Sequence, residues 1–244
     1  MVRLFYPKKL KINKQFIIVD RKQLHYLCHV LRISKGDEIF LFDGKGTEYR
    51  CRIEKLSKTQ ATFLVKDETR ARPSFDCHIT IACALPKQKA KFDDLVDKLT
   101  QLGAERIIPM ITERVVLRWD DKQKAHHLKR WKKIAQQACI QCARSRLPVI
   151  EPVMHVDEII AASKSYKLKL IPALIGKRKA LKEIVVGSLP NHILILVGPE
   201  GDFSEEELTR ARERDFIPIS LGQLVLRVDT AAIAVTSFFQ LFGS

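Results

Sequence analysis

Two glycine-containing stretches in the last fifth of the chain gather residue types that could do chemistry. The first, LVGPEGDFSEEEL at 196–208, is an apolar run stopped by Gly-Pro-Glu-Gly and followed by an acidic helix start. Gly198 and Gly201 are expected to let a ligand approach the backbone closely, and Pro199 to stiffen the turn. Asp202, Glu205, Glu206 and Glu207 crowd the helix N-terminus. Such an end repels phosphate and suits a cationic or neutral ligand. No Gly-Lys-Ser/Thr follows, so this is not a P-loop, and G-x-G-x-x-G is missing. An ordinary strand-to-helix turn with acids matched to the helix dipole accounts equally well for this stretch taken alone.

The second stretch, ISLGQLVLRVDTAAIAV at 219–235, puts an apolar loop between two elements, where loops are normally polar. That composition fits a loop wrapped round an apolar or aromatic ligand such as an adenine ring. Arg227 stands alone before the final helix and could meet an anionic substrate.

The elements that must position these loops read as an α/β domain. CHITIACAL (77–85), RIIPMI (106–111), KLKLIPAL (167–174), HILILVG (192–198) and PISLG (218–222) are apolar strands too hydrophobic to face water. Between them lie helical patterns. Phe92, Leu95, Val96, Leu99 and Leu102 share one face and Gly103 ends that helix. A long basic helix spans about 121–145, with Trp131, Ile134 and Ala138 as its inner stripe. Ser204 followed by Glu207 has the spacing of a capping box. Alternation of this kind implies a mostly parallel sheet, with ligands expected at its carboxyl edge.

Residues 1–72 differ. QFIIVD, DEIFLFD, YRCRIEKL and ATFLVKDE are short strands, RKQLHYLCHVLRI is a helical stretch, and ETRARPS (68–74) is the expected linker. The reading is a small β-barrel over 1–72 and an α/β domain over 73–244. The 244-residue chain carries +15, from 43 Lys and Arg against 28 Asp and Glu. The front segment has 17 against 8, so the charge is densest there and favours a polyanion, nucleic acid first. No stretch approaches 18 apolar residues, so no membrane span is expected. The N-terminus shows no signal-peptide core, which makes a cytoplasmic location the default. The six cysteines are irregularly spaced and are expected to be reduced. Cys139 and Cys142 read as packing residues, His25 and His29 lack a third ligand, and no metal site is expected.

Beyond these readings, LVGPEGDFSEEEL and LGQLVLRVDTAA, with LPKQKAKFDDLVDKLTQLGAERIIPMITERVV, RWKKIAQQACIQCARSRLPVI, and RLFYP and HYLCHVLRISKGDEIFLFDGKG near the start, resemble one family over nearly the whole chain. It is the small-subunit (16S) ribosomal RNA uridine-N3 methyltransferase family, of the SPOUT superfamily. The resemblance implies a mostly parallel sheet with helices on both faces, a deep trefoil knot near the C-terminus and an N-terminal PUA-like β-barrel. It also implies S-adenosylmethionine as cofactor, ribosomal RNA of the small subunit, within an assembled particle, as partner, and a homodimer.

Carried over by position, the cofactor cradle is Gly198, Pro199, Glu200 and Gly201 with Leu221, Gly222, Leu226 and Arg227. Glu200 is the candidate base, with Arg227 and Arg114 to stabilise a uridinate. Arg32, Lys35 and Lys45 on the front domain, and Gln141 with Arg144 as i, i+3 neighbours on a helix, are the candidate RNA contacts. The chain departs from the family pattern at Asp202 (usually Gly), Leu224 (usually Arg), Val225 (usually Ile), Asp229 (usually Glu) and Tyr26 (usually His). Asp tolerates the backbone angles Gly allows better than most residues do. A sulfonium cation with an adenine and no phosphate suits the acid-rich first loop and the apolar second. Two other readings stay open: a non-enzymatic RNA-binding or ribosome-assembly protein, and a SPOUT methyltransferase with another RNA target.

Overall fold

A computed structural model describes residues 2–18, 24–57, 59–70, 77–86, 88–115, 119–174, 176–184 and 189–242. The chain divides into two compact units, Met1–Pro73 with Cys139–Leu147, and Ser74–Ala138 with Pro148–Ser244. The expected linker falls partly on strand, since the strand it follows runs to Arg70; 71–74 lie outside the described residues.

The first unit holds β1 (Arg3–Phe5), β2 (Gln15–Ile18), β3 (Glu38–Phe42), β4 (Thr47–Leu56) and β5 (Ala61–Arg70). They form one sheet in the order β1-β3-β4-β5-β2, antiparallel except where β1 joins β3. The alternating pattern of β4 buries Tyr49, Cys51 and Ile53 against Ile39, Leu41, Phe63 and Val65. The helical stretch of the sequence appears as a π-helical turn, Tyr26–Val30, that places Leu27 in this core.

Cys139–Leu147, which the sequence reading gave to the second domain, belongs to this unit by its bonds. Gly46 N donates to Ser145 O (3.1 Å) and Leu147 N to Gly44 O (2.9 Å). Ser145 Oγ donates to Glu48 Oε2 (2.9 Å), which also pairs with Arg3 (2.7 Å).

The second unit holds β6 (His78–Ala84), α1 (Lys89–Gln101), β7 (Arg106–Ile111), α2 (Asp121–Gln141) up to Ala138, β8 (Val149–Ile150), β9 (Met154–His155) and α3 (Val156–Ala161). It continues with β10 (Leu168–Pro172), β11 (Lys179–Ala180), α4 (Leu181–Ile184), β12 (His192–Val197), α5 (Glu205–Arg212), β13 (Ile217–Ser220) and α6 (Val228–Phe242). The sheet order is β11-β13-β10-β12-β6-β7-β8, with β9 on β7, and every pairing is parallel.

Strand alternation sends the apolar runs to two cores. Ile193, Ile195 and Val197 meet α1 and α6 on one face, while Leu194 and Leu196 meet α3 and α5 on the other. Each strand is covered on both faces, which is why these runs carry no polar alternation. Phe92, Leu95, Val96 and Leu99 are buried as the periodicity requires, and Gly103 follows the helix at φ 84°. On α2 the buried stripe is Trp131, Ala135 and Ala138; Ile134 is only half-buried.

The α2 helix ends at Gln141 rather than near 145. Ala143 takes the left-handed φ of 62°, so Gln141 and Arg144 are not neighbours on a helix face. Of the cysteine pair, Cys139 is buried and donates to Arg146 O (3.7 Å), whereas Cys142 lies past the helix end, half-buried.

Candidate active site

Strands β13, β10 and β12 are neighbours and parallel, so their carboxyl ends open at one edge. The loops leaving them form a pocket. The loop after β10 contributes Ala173 and Leu174, the loop after β12 contributes Gly198, Pro199, Glu200 and Asp202, and the loop after β13 contributes Leu221, Gly222 and Leu226. The start of α6, through Val228 and Ala231, closes one side, and Arg178 adds a cation. The enclosed volume is about 60 Å³, so a nucleoside-sized ligand would lie along an open groove rather than in a closed chamber. Leu224, on its rim, is 81% exposed.

The first loop is fixed by its own residues. Asp202 has φ 62°, in the left-handed region that favours Gly and that Asp tolerates better than most residues. Its Oδ1 accepts from Phe203 N (2.9 Å) and its Oδ2 accepts from Leu174 N (2.8 Å), so this carboxylate ties two pocket loops together. Its own N–H donates to Pro199 O (2.9 Å).

The glycines act differently from expectation. A Cβ at Gly198 would sit 2.7 Å from the ring of Phe203, which is buried in the second core. The close approach that Gly198 permits is therefore to its own protein. Gly201 does not line the pocket; a Cβ there would meet only Arg114 Cδ at 3.5 Å. Gly222 has φ 125° and open space around it, so its requirement is conformational.

The capping box is present: Ser204 Oγ accepts from Glu207 N (3.3 Å) and Glu207 Oε2 accepts from Ser204 N (2.9 Å). Glu207 does more. It is 1% exposed, and its Oε1 accepts from Glu113 N (2.8 Å), in the loop after β7. The next residue, Arg114, donates from Nη1 to Gly201 O. Spacing within the helix shows only the first of these bonds; the second joins residues 94 apart in sequence.

Glu200 is exposed at the rim and lines both this pocket and a smaller one with Lys91 and Asp229. Arg227 does not line the pocket. Its guanidinium is exposed, and its carbonyl accepts from Ala231 N (2.8 Å) at the start of α6. Of the three candidates, Glu200 lines the pocket, Arg114 is bonded to the Gly201 carbonyl of the same loop, and Arg227 lies outside the lining.

The front-domain candidates are not one group. Arg32 and Lys35 precede β3 and Lys45 follows it, so a five-residue strand, about 17 Å of extended chain, separates them.

The sequence matches the model of a family described as an RNA methyltransferase domain over residues 73–240, and that of an RNA methyltransferase PUA domain over 19–66. The chain belongs to the RNA methyltransferase family. Within it, the chain is 30% identical over 225 residues to ribosomal RNA small subunit methyltransferase E of Bacillus subtilis, covering 90% of this chain and 87% of that one. It is also 30% identical to the Rickettsia conorii protein of the same name, with 99% and 96% covered. A crystal structure of that methyltransferase from Neisseria gonorrhoeae, bound to S-adenosyl methionine, superposes with a TM-score of 0.86 at 28% identity, covering 99% and 98%. A Legionella pneumophila methyltransferase with bound cofactor SAM gives 0.88 at 28% identity, also covering 99% and 98%. The parallel sheet with helices on both faces and the N-terminal PUA-like unit are the family's architecture in this chain.

Proposed function

We propose that this RNA methyltransferase uses S-adenosylmethionine to methylate N3 of a uridine in small-subunit ribosomal RNA. The observation that supports it most is the pocket at the ends of β10, β12 and β13, in a chain that superposes on relatives solved with that cofactor. The residues fit the group. Leu221, Leu226 and Val228 offer apolar walls for an adenine, and Glu200 and Asp202 bring carboxylates that a sulfonium tolerates and a polyphosphate does not. The cofactor supplies an electrophilic methyl on sulfur. Gly198, Pro199, Leu221, Gly222 and Leu226 would hold it, while Gly201 serves as the backbone anchor of Arg114.

Uridine N3 bears an imide proton that must leave as the N–C bond forms. Glu200, which lines the pocket, is the candidate to take that proton. Arg114 and Arg227, at the pocket's margin, are the candidates to stabilise negative charge on the uracil oxygens. Pinning by Glu207 and Gly201 gives Arg114 a fixed origin, which alignment-dependent transfer needs. Because N3 lies on the pairing edge, the target base must be unpaired or extruded. Exposed Leu224, Val225, Leu241 and Phe242 supply apolar surface for a homodimer. Among the described residues no helix is long and apolar enough to cross a membrane.

The test is tritium transfer from labelled S-adenosylmethionine to small subunits lacking the modification, then nucleoside mass spectrometry. 3-Methyluridine is expected. Absence of label would leave the non-enzymatic RNA-binding reading, and label in another nucleoside would move the enzyme to a different target.

A further inference from the structure

We propose that the first unit carries an RNA-phosphate site built jointly by its β3–β4 turn and the returning segment Cys139–Leu147. The site is a cleft of about 380 Å³ lined by Lys9, Lys45, Arg70 and Arg146, with Asp43 and Glu68 as its acids. This inference rests on the reading that the substrate is RNA.

The cleft is made by contacts far apart in sequence. Gly44 and Lys45 bridge to Arg146, and the flanking bonds Gly46 N to Ser145 O and Leu147 N to Gly44 O fix that strap to the turn. Gly46 takes φ 103°, and a Cβ there would lie 3.3 Å from Arg146 Nη2. The guanidinium thus lies over bare backbone. Arg70, at the end of β5, faces Thr47 across the ladder and so enters the same cleft.

The cleft's cations differ from the neighbouring arginines in their ion pairing. Arg3 pairs with Glu48 at 2.7 Å and Arg50 with Glu38 at 3.7 Å. The four cationic heads of the cleft have no hydrogen bond or ion pair to a described residue. Asp43 is engaged inside its turn, with Oδ1 accepting from Lys45 N (2.7 Å) and Thr47 N (3.0 Å). Burial alone would raise its carboxyl, but those bonds hold it below the usual carboxylate range. Asp43 thus stays charged and attracts Lys45, so two acids face four cations and the cleft keeps a net positive charge. Like charges converging on a concave surface repel in the free protein, and an anion relieves them.

The lining also selects the part of RNA that fits. The aromatic residue in the wall, Tyr49, is 1% exposed and offers no face for a base to stack on. The cleft therefore takes backbone phosphodiester rather than base, and grips RNA without reading its sequence.

Anisotropy with a labelled single-stranded fragment of small-subunit RNA, over a series of KCl concentrations, tests this. Each phosphate contact removed lowers the slope of log K against log salt by about 0.7. Arg70→Gln with Arg146→Gln, and separately Lys9→Gln with Lys45→Gln, should each lower it by about 1.4. The lysine pair keeps the test open should the arginine pair unfold. Glu68→Gln should tighten binding, and cofactor affinity by calorimetry should not move. Unchanged slopes in both double variants, or an equal loss from Arg32→Gln with Lys35→Gln, would overturn the site. If the wild type binds with this slope yet transfers no methyl group, the site stands and the activity assignment falls. If methyl transfer persists while the slopes stay flat, the reverse holds.

Discussion

Substituting Asp202 separates two contributions that a glycine at this position would combine differently. In Asp202→Gly the φ of 62° becomes free of strain, but Phe203 N and Leu174 N lose their acceptor. A hydrogen bond to a charged group contributes about 1.5–3 kcal/mol, and the two here share one carboxylate and do not add in full. Relief of the left-handed backbone returns about 1 kcal/mol. The balance for Asp202→Gly is a loss of roughly 2 kcal/mol. Asp202→Ala loses the same bonds and keeps the strain, so it should cost about 1 kcal/mol more. Asp202→Asn retains one acceptor and tolerates the backbone, and should fall nearest the wild type.

Urea unfolding of the four proteins ranks them. Calorimetry with S-adenosylmethionine then reads the functional consequence, because Leu174 lines the pocket and Asp202 fixes its amide. An affinity loss of about tenfold corresponds to 1.4 kcal/mol of that fixation. Asp202→Gly matching the wild type in both stability and affinity would refute the bridging role. Asp202→Ala no less stable than Asp202→Gly would refute the backbone part of the reasoning.

Three further outcomes follow from the same loops and cores. Gly198→Ala forces a methyl to 2.7 Å from the Phe203 ring and should cost about 1–3 kcal/mol by overpacking, whereas Gly201→Ala, with 3.5 Å to a flexible arginine, should be near neutral; thermal unfolding separates them. Glu207→Gln turns one of two buried acceptors into a donor facing an N–H, for a loss of about 2 kcal/mol and a lower methyl-transfer kcat through Arg114, while the exposed Glu205→Gln should stay within about 0.5 kcal/mol. Burial pushes the thiols of Cys51 and Cys139 up to about 12 and of Cys77 to about 11, and raises Cys83 further, from 9.0. At pH 8 a thiol reagent should therefore label the half-buried Cys28 and Cys142 first. Because the folded values are raised, the unfolded chain releases these protons first, so stability should be level below about pH 9 and fall between 9 and 12; a flat profile there would contradict the burial.

What could be read from the sequence is what local chemistry encodes. Apolar runs such as HILILVG name strands covered on both faces, and Ser204 with Glu207 names a helix start, because both signals lie within a few residues. Two of the three loops that form the pocket were legible for the same reason: Gly-Pro-Glu-Gly and the apolar 221–226 run are locally unusual, whereas the loop after β10 carries no such signal. What escaped depends on partners distant in the chain. Nothing near Glu207 announces Glu113, and nothing near the Asp43–Gly46 turn announces Ser145 and Arg146. Helix periodicity carried the α2 reading past Gln141 because the stop is Ala143 in a left-handed conformation, where sequence signals expect Gly or Asn. Asp202 sits between these cases. Its departure from the family's glycine was visible and its backbone angle inferable, but the acceptor it offers to Leu174, 28 residues earlier, was not. A polar residue in a glycine's place is thus worth testing for a bond it makes, because the strain it keeps must be offset by something the glycine could not supply.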